Sequence, residues 1–460
     1  MNSAPPPAPP PAPAPIPPAS PTLDRRTIWV IAIPAMLTNV ATALIGIGDI
    51  WIVGRLEDAA VQGAVDVGAR LFAVLFTVMN FLKTGTTGLV AQAGTRGGRS
   101  SGAQEQAALL ARALFIGLTI AALLLIAKPL LLPALLGALG AEGRVLDAAQ
   151  VYAEIRYWSA PGVMANLALM GFLVGQRRMK AVLAIEVAYN LLNLALGLWF
   201  VLALDFNIAG IGWSSFIAEY AKLAVLAAVV LSGVAGRELL AALRDRAVLR
   251  WQVLQPFLSV NRDLFLRTLV LMVALALLTR LSAERGPEVL AANGIIYQLF
   301  VFTALLLDGF ENAAQVLNGE RLGARDRAGF GGYVYAILWR GLGAAVVVAG
   351  VFALLADPIL ASFAATPAVA EIAQGSAIWL VIIPFAGVAS FVLDGVYVGA
   401  SWTRALLGTM AGAVLGYGVL LWLSWPLGND GLWLSFTAFL ALRAVLQLLY
   451  LPRLMRRSFG

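Results

Sequence analysis

The amino-acid sequence predicts an all-α membrane protein with twelve transmembrane helices, arranged as two pseudo-symmetric six-helix lobes around a central cleft. Three observations predict this fold class. The chain is 60% hydrophobic and only 12% charged, long apolar runs recur along its whole length, and its two halves resemble each other. Soluble domains have about one quarter charged residues, whereas a hydrocarbon core about 30 Å thick requires roughly 20 apolar residues in helical form. The runs lack the two-residue alternation of outer-membrane strands.

The composition also limits the chemistry. The chain has no cysteine and no histidine, which excludes disulfides, zinc sites and imidazole proton relays. We therefore expect no metal site and no cofactor, and any proton chemistry must use carboxylates. The net charge is +7 and the pI is about 9.9. Because the basic residues lie in short loops beside apolar runs, they indicate membrane orientation rather than nucleic-acid binding.

The chain divides into four predicted parts. Residues 1–22 contain 11 of the 22 prolines, a composition that favours extended polyproline II and predicts a disordered Pro/Ala-rich tail. The amino-terminal lobe is predicted over 23–234 and the carboxy-terminal lobe over 263–460. The connection 235–262 has leucines among arginines at roughly helical spacing, which predicts an amphipathic linker on the cytoplasmic face.

Six apolar runs in each half predict the spans. In the first half they cover 28–54, 64–92, 109–136, 154–175, 181–204 and 208–234. In the second half they cover 264–282, 288–318, 333–356, 372–399, 403–425 and 432–452. If both termini are cytoplasmic, 21 of the 32 basic residues fall on the inner side and six on the outer side. This asymmetry predicts cytoplasmic termini, because inner loops carry the excess of Lys and Arg.

The two halves can be aligned. Residues 71–93 lie over 300–326 so that Gln92 meets Glu320, and residues 169–180 lie over 393–404. Six helices per half is an even number, so the copies share one orientation and are related by an axis along the membrane normal. Repeats around a central cleft are typical of transporters.

Charged residues inside the runs are the candidates for function. The alignment places Lys83 opposite Glu311 and Asn80 opposite Asp308. Each charge in hydrocarbon costs about 2.5 to 3.5 kcal/mol on insertion scales, so we expect Lys83, Asp308, Glu311 and Asp394 to line the cavity or to pair. One hypothesis is that Lys83 and Glu311, or close neighbours of these residues, pair across the cytoplasmic side when the cleft opens outward. The alternative is that each pairs within its own half or reaches the membrane interface.

Two further sets of charges have close partners in the sequence. Glu219 and Lys222 are three residues apart in the sixth run, and Asp66 and Arg70 are four apart in the second. Residues at these spacings are neighbours on a helix, so we expect both pairs to neutralise each other.

Asp49 is the acidic residue of the first run, within GIGDIWIVGRL (46–56). It comes about 21 residues after the start of its helix, toward the outer side at about 1.5 Å per residue. One interpretation pairs it with Arg55 or places it at the interface. The other places it in a cleft, where Gly46 and Gly48 allow another helix to approach closely. A buried carboxylate can then take up a proton near neutral pH.

Five segments together indicate a family. They are IPAMLTNVATALIGIGDIWIVGRL, NFLKTGTTGLVAQA, YNLLNLALGLWFVLAL, NRDLFLRTLVLM and LDGFENAAQVLNGERLGARD. Their order resembles that of the multidrug and toxic compound extrusion (MATE) transporters, in particular the DinF-like branch, over about residues 25–455. The resemblance implies two lobes in a V shape and export of organic, often cationic, compounds in exchange for protons or sodium ions.

The resemblance also implies functional residues. The family's main coupling aspartate in the first helix matches Asp49, and a supporting asparagine in the fifth helix matches Asn193. Asn190, one turn earlier on the same helix, is a weaker candidate for lining the cavity. DinF-like members often have an aspartate four residues after the asparagine, whereas this chain has Gly197. This difference leaves open whether the coupling ion is H⁺ or Na⁺.

The alternatives are less well supported by the residues. A flippase for lipid-linked saccharides of the same wider superfamily would require a strongly cationic cavity, and few basic residues lie within the spans. An enzyme is not expected, because no DDxxD cluster, P-loop or GxSxG motif is present. We therefore expect a monomeric antiporter of the bacterial inner membrane, with small-molecule substrates and membrane lipids as partners and no nucleic acid.

Overall fold

The computed structural model describes residues 24–54, 58–96 and 99–460. Within these ranges the side chains at 44–51, 53–54, 59–60, 99–100 and 234–235 are not described. The predicted tail 1–22 therefore lies outside the described residues. So does the side chain of Asp49, whose backbone belongs to the first helix.

The described chain is helical almost throughout. The first half contains α1 (Arg25–Gly54), α2 (Ala59–Met79), α3 (Phe81–Ala93), α4 (Arg99–Ala138), α5 (Gly143–Tyr157), α6 (Ala160–Gly175), α7 (Met179–Leu198), α8 (Asn207–Leu231) and α9 (Val234–Arg244). The second half contains α10 (Trp251–Glu284), α11 (Pro287–Gly323), α12 (Arg327–Phe363), α13 (Pro367–Gly375), α14 (Ile378–Gly399), α15 (Thr403–Ser424) and α16 (Gly428–Phe459).

The helices are long and apolar enough for a membrane bundle. The described residues contain 10 candidate spans, or 11 if α5 and α6, which meet at a bend of 50°, form one span. The last candidate, Thr403–Phe459, has 57 residues and includes both α15 and α16, which pack against each other. Since 57 residues are far more than the roughly 20 that one crossing requires, the structure is compatible with the predicted twelve spans.

The connection between the halves is shorter than the predicted 235–262. Only α9 and one turn of 3₁₀ helix, Arg246–Leu249, separate the last span of the first half from α10. Residues 251–262 belong to α10 instead. Phe257, Val260 and Leu264 lie on one face of that helix and are buried, so packing against the bundle extends the helix into the expected linker.

Three hydrophobic cores show how the halves meet. The largest core includes residues of both halves, for example Val90 of α3, Val316 of α11 and Val396 of α14. The other two large cores are each confined to one half: one surrounds Tyr152 of α5, and the other surrounds Trp433 of α16. The lobes therefore share a core at the end where α3, α11 and α14 finish, which we call the closed end. At the opposite end, the open end, each lobe has its own core.

Helix α1 connects the lobes within the span. Its first half packs against α11 of the second lobe. The rings of Trp29 and Phe310 lie 5.5 Å apart, and a Cβ atom added to Gly309 would lie 2.6 Å from the carbonyl oxygen of Ala32. Since Cβ atoms do not approach that closely, only glycine allows this contact between the two helices.

Candidate functional site

The two lobes have equivalent contacts between helices, as the predicted repeat requires. The carbonyl oxygen of Lys83 on α3 packs against the backbone of Gly171 on α6, and the carbonyl oxygen of Glu311 on α11 packs in the same way against Gly395 on α14. These four residues are the pairs that the sequence alignment places opposite each other. Each lobe thus contains the same crossing of two helices, at equivalent positions.

Lys83 and Glu311 do not form an ion pair with each other in this structure. Within the described part of the chain, Lys83 is half-buried and has no ion pair. Glu311 instead lies beside Asp308 and within electrostatic range of Asp394 and Arg267, all in the second lobe.

Asp394 is the centre of a buried charge cluster in the second lobe. It lies on α14, has 0% exposed surface, and pairs with Arg267 of α10 and Arg443 of α16. Its other carboxylate oxygen accepts a hydrogen bond of 2.5 Å from Nε2 of Gln447. The carboxylate of Asp394 therefore joins α14 to α10 and α16. The charge of Asp394 is neutralised by arginines of these neighbouring helices.

The same cluster extends to α11 and from there to the first lobe. Asp308 accepts a hydrogen bond of 2.7 Å from Nδ2 of Asn39 on α1. Asp308 and Glu311 are three residues apart on α11, and Glu311 also interacts electrostatically with Asp394 and Arg267. Together with Arg443 the cluster thus has three carboxyl groups and two guanidinium groups. With every group ionised it would have one uncompensated negative charge. Asp394 is fully buried, whereas Asp308 and Glu311 are half-buried.

The first lobe has a smaller charge cluster. Lys222 of α8 forms its ion pair with Glu186 of α7, and its Nζ lies 4.6 Å from the ring centroid of Tyr189. Glu219, the predicted partner of Lys222, instead accepts a hydrogen bond of 2.7 Å from Nδ2 of Asn166 on α6. Glu219 also interacts electrostatically with Lys222, as predicted, but the direct ion pair of Lys222 is with Glu186 on the facing helix.

Helix α7 carries the predicted asparagines on the face toward α1. Nδ2 of Asn190 donates a hydrogen bond of 2.6 Å to the carbonyl oxygen of Ala41, and Asn193 is 1% exposed. One turn further, a Cβ atom added to Gly197 would lie 2.9 Å from Cδ1 of Ile52. The backbone of Asp49 lies on α1 between Ala41 and Ile52 and therefore runs along this part of α7. Its role as a coupling residue stays a prediction.

The contact at Gly197 has a structural consequence. A Cβ atom at this position would require Cδ1 of the buried Ile52, the end of a flexible side chain, to shift. Gly197 also leaves this part of α7 without a carboxylate at the position where the sequence resemblance implies one.

The pair Asp66 and Arg70 on α2 is confirmed. Nε of Arg70 lies 2.9 Å from Oδ2 of Asp66, and the two side chains are 69% and 47% exposed for Arg70 and Asp66. An exposed pair of this kind contributes little to stability. It is a local neutralisation and not part of a site.

The closed end has polar contacts between the lobes that the sequence analysis did not assign. Nε2 of Gln92 on α3 donates hydrogen bonds of 2.7 Å to the carbonyl oxygen of Gly399 and to Oγ of Ser401. Arg177, after α6, forms an ion pair with Glu320 on α11. We call Gln92, Arg177, Glu320 and Ser401 the closed-end lock.

The lock follows the internal symmetry. The alignment that places Gln92 over Glu320 also places Arg177 over Ser401, so the two cross-lobe contacts are equivalent under the repeat. Arg177 and Ser401 both have positive φ, at 62° and 57°. The sequence alignment already placed the polar residues Gln92 and Glu320 at equivalent positions of the two repeats. It could not show that each of them contacts a residue of the other repeat.

Arg177, the basic residue of the ion pair in the lock, lies in the loop between α6 and α7. Burial by itself would lower the pKa of Arg177, but the hydrogen bond and the charge of Glu320 outweigh that effect and raise the pKa above its usual value. The guanidinium therefore stays charged while the lobes are in contact. Among the described residues, no group of three or more acidic side chains could hold a metal ion.

The comparisons with known proteins identify the class. A multi-pass helical bundle with two repeated lobes, a shared core at one end and buried charges between its helices has the architecture of a secondary transporter. The MatE family model matches residues 34–199 and 264–422. The chain belongs to this family and is a MATE transporter.

Relatives agree with this assignment. The DNA damage-inducible protein F of Escherichia coli (strain K12) is 34% identical over 438 residues, which cover 92% of this chain and 91% of that protein. This likeness confirms the DinF-like resemblance. The probable multidrug resistance protein NorM of Rhizobium meliloti (strain 1021) is 25% identical and covers 95% of both chains.

Solved structures share the fold. A crystal structure of a MATE protein in the bent conformation has a TM-score of 0.83 at 16% identity, covering 95% of this chain and 97% of that chain. The bent form of the Vibrio cholerae transporter VcmN has a TM-score of 0.83 at 19% identity, covering 94% and 97%. An outward-facing MATE structure has a TM-score of 0.82 at 16% identity, covering 95% and 97%.

Proposed function

We propose that this protein is an antiporter that exports organic, mostly cationic and hydrophobic, compounds in exchange for protons or sodium ions by alternating access. The observation that carries the proposal is that the described residues of the two lobes share a hydrophobic core toward one end, whereas toward the other end each lobe has its own core. A transporter of this kind must open one end while the other is closed. The name of the Rhizobium meliloti relative, a probable multidrug resistance protein, supports the substrate class.

The proposed location is the bacterial inner membrane, with both termini in the cytoplasm and one chain per working unit. The basic residues near the closed end support this orientation. Arg177, Arg178 and Lys180 follow α6 there, and Arg453, Arg456 and Arg457 lie in the last turns of α16. Because inner loops are rich in Lys and Arg, the closed end faces the cytoplasm. The conformation is then outward-open.

Transport requires that the closed-end lock breaks and forms again. The lock consists of a few hydrogen bonds and one partly exposed ion pair, in which the side chains of Arg177 and Glu320 are 38% and 15% exposed. Each such hydrogen bond contributes about 0.5 to 1.5 kcal/mol net. The total free energy of these contacts is small enough to be offset when substrate or ion binds. It is still large enough to favour the state in which the lobes touch at the closed end.

Coupling is proposed to reside in Asp49, supported by Asn193. A carboxylate that takes up a proton loses its attraction for a cationic compound, so proton binding and substrate binding exclude each other. The second-lobe cluster of Asp308, Glu311 and Asp394 is a second candidate region for proton uptake, because its carboxyl groups outnumber its guanidinium groups. We assign no enzymatic step to either region.

The experiment uses proteoliposomes with an imposed pH or sodium gradient and a fluorescent organic cation. We expect Asp49→Asn to remain folded and to lose gradient-driven transport. The control Asp66→Asn removes an acid whose only described partner is the exposed Arg70, and it should retain transport. Loss of coupling in Glu311→Gln alone would move the coupling site to the second lobe. Wild-type transport in both Asp49→Asn and Glu311→Gln would overturn the proposed mechanism, and no flux in the wild type would overturn the proposed function.

A further inference from the structure

A groove lies on the first lobe, away from the contact between the lobes. It is formed by α4, α5 and α8, and its volume is about 400 Å³, a size typical of small-molecule sites. Helix α5 packs against both α4 and α8. The same helices also have exposed apolar side chains, including Val151 of α5 (45% exposed) and Ile217 of α8 (38% exposed). Such side chains on a membrane bundle face lipid.

Two opposite charges line this groove. Lys128 is the one charged residue between Arg112 and Glu142, so it lies within the apolar part of α4. Glu154 lies on α5 across the groove. In the described part of the chain neither forms an ion pair, with each other or with another residue. Lys128 is half-buried and Glu154 is exposed, so both charges are accessible from the groove. A ligand that has both a negative and a positive group could pair with both of them.

Aromatic rings form the walls between the two charges. Nζ of Lys128 lies 5.6 Å from the ring centroid of Trp158, and the hydroxyl of Tyr220 donates a hydrogen bond of 3.0 Å to the carbonyl oxygen of Trp158. Phe216 contacts Tyr220 with ring centroids 4.8 Å apart. The walls are therefore held in place by their own contacts, and their faces can accept a cation.

We propose that the groove binds one membrane glycerophospholipid with a zwitterionic headgroup. The phosphate of the headgroup would lie at Lys128. Its ammonium group would lie at Glu154 and the aromatic faces. The acyl chains would follow the exposed apolar side chains of α5 and α8. A zwitterion neutralises both charges at once, which an anionic lipid or an organic cation cannot do.

The test measures lipid binding to the purified full chain by native mass spectrometry. Phosphatidylethanolamine, phosphatidylcholine and phosphatidylglycerol are titrated separately, together with methyltriphenylphosphonium as a cation without phosphate. We expect the two zwitterionic lipids to bind about fivefold or more tightly than phosphatidylglycerol. Glu154→Gln should remove this preference, and Lys128→Gln should weaken all three lipids. Glu142→Gln and Arg144→Gln, on the exposed segment at the open end, change the charge equally and should leave the preference intact.

Each outcome decides the proposal. Equal binding of the three lipids by the wild type, or an unchanged preference in Glu154→Gln, overturns it. Tighter binding of methyltriphenylphosphonium than of any lipid, dependent on Glu154 alone, assigns the groove to cations instead. If Lys128→Gln does not fold, Trp158→Leu supplies a second variant and should weaken the zwitterionic lipids. The measurement uses no gradient, so its result does not depend on whether the proposed transport is correct.

Discussion

Gln92 allows the closest test of the closed-end lock. Its side chain is 3% exposed, and its amide makes two hydrogen bonds to the other lobe, to the carbonyl of Gly399 and the hydroxyl of Ser401. The change Gln92→Ala removes both bonds and leaves a buried carbonyl without its donor. When this end is open, water can hydrogen-bond to the carbonyl of Gly399 and the hydroxyl of Ser401. The substitution therefore destabilises mainly the closed state.

The size of the effect follows from these contacts. Two hydrogen bonds contribute about 0.5 to 1.5 kcal/mol each, and an unsatisfied buried group costs about 1 to 3 kcal/mol. The lost hydrogen bonds and the unsatisfied carbonyl are partly the same effect, so their free energies do not simply add. We expect Gln92→Ala to destabilise the closed state by about 2 to 3 kcal/mol in total. This free energy shifts the ratio of closed to open populations at this end by about 30- to 150-fold. A closed end that is almost fully populated in the wild type would then share the population with an open form.

The absence of native cysteines makes the measurement direct. Spin labels at Lys180→Cys and Arg404→Cys occupy exposed, repeat-equivalent positions at the closed end, one in each lobe. Electron double resonance should give a single short distance in the wild-type background and an added longer distance in Gln92→Ala. The matched control is Gln374→Ala, whose exposed amide bonds within the second lobe. An unchanged distance distribution in Gln92→Ala would refute the lock.

Two further predictions concern packing and charge. A Cβ atom added to Gly88 would lie 2.6 Å from the carbonyl oxygen of Val398 in the other lobe, so Gly88→Leu should separate the lobes and give the same added distance in the spin-label experiment. Gly408→Leu, where a Cβ meets nothing within 4 Å, should not, and equal effects of the two would contradict this account. Arg443→Leu leaves the buried Asp394 with one guanidinium fewer and should lower stability by about 3 to 5 kcal/mol, measured as a fall in Tm against Arg70→Leu at an exposed pair. A Tm equal to that of the control would show that Arg267 alone satisfies Asp394.

The sequence by itself predicted the features that depend on composition and on local periodicity. Apolar runs of sufficient length are enough to predict the membrane class, because the bilayer rejects unsatisfied backbone groups and selects helices. The Asp66–Arg70 pair was predicted correctly, since residues four apart are neighbours on any helix. The register of the repeat was also readable, and the equivalent contacts at Gly171 and Gly395 agree with it.

The tertiary structure decided which residues meet between helices. Asp394, Arg267 and Arg443 come from three different helices, and Lys222 pairs with Glu186 rather than with its neighbour on α8. Residues 251–262 of the predicted linker belong to α10, where Phe257 and Val260 pack against the bundle. Helical spacing fixes only the face that a side chain occupies along its own axis. Which face of another helix lies opposite, and at which end the lobes touch, depends on the packing of the whole bundle.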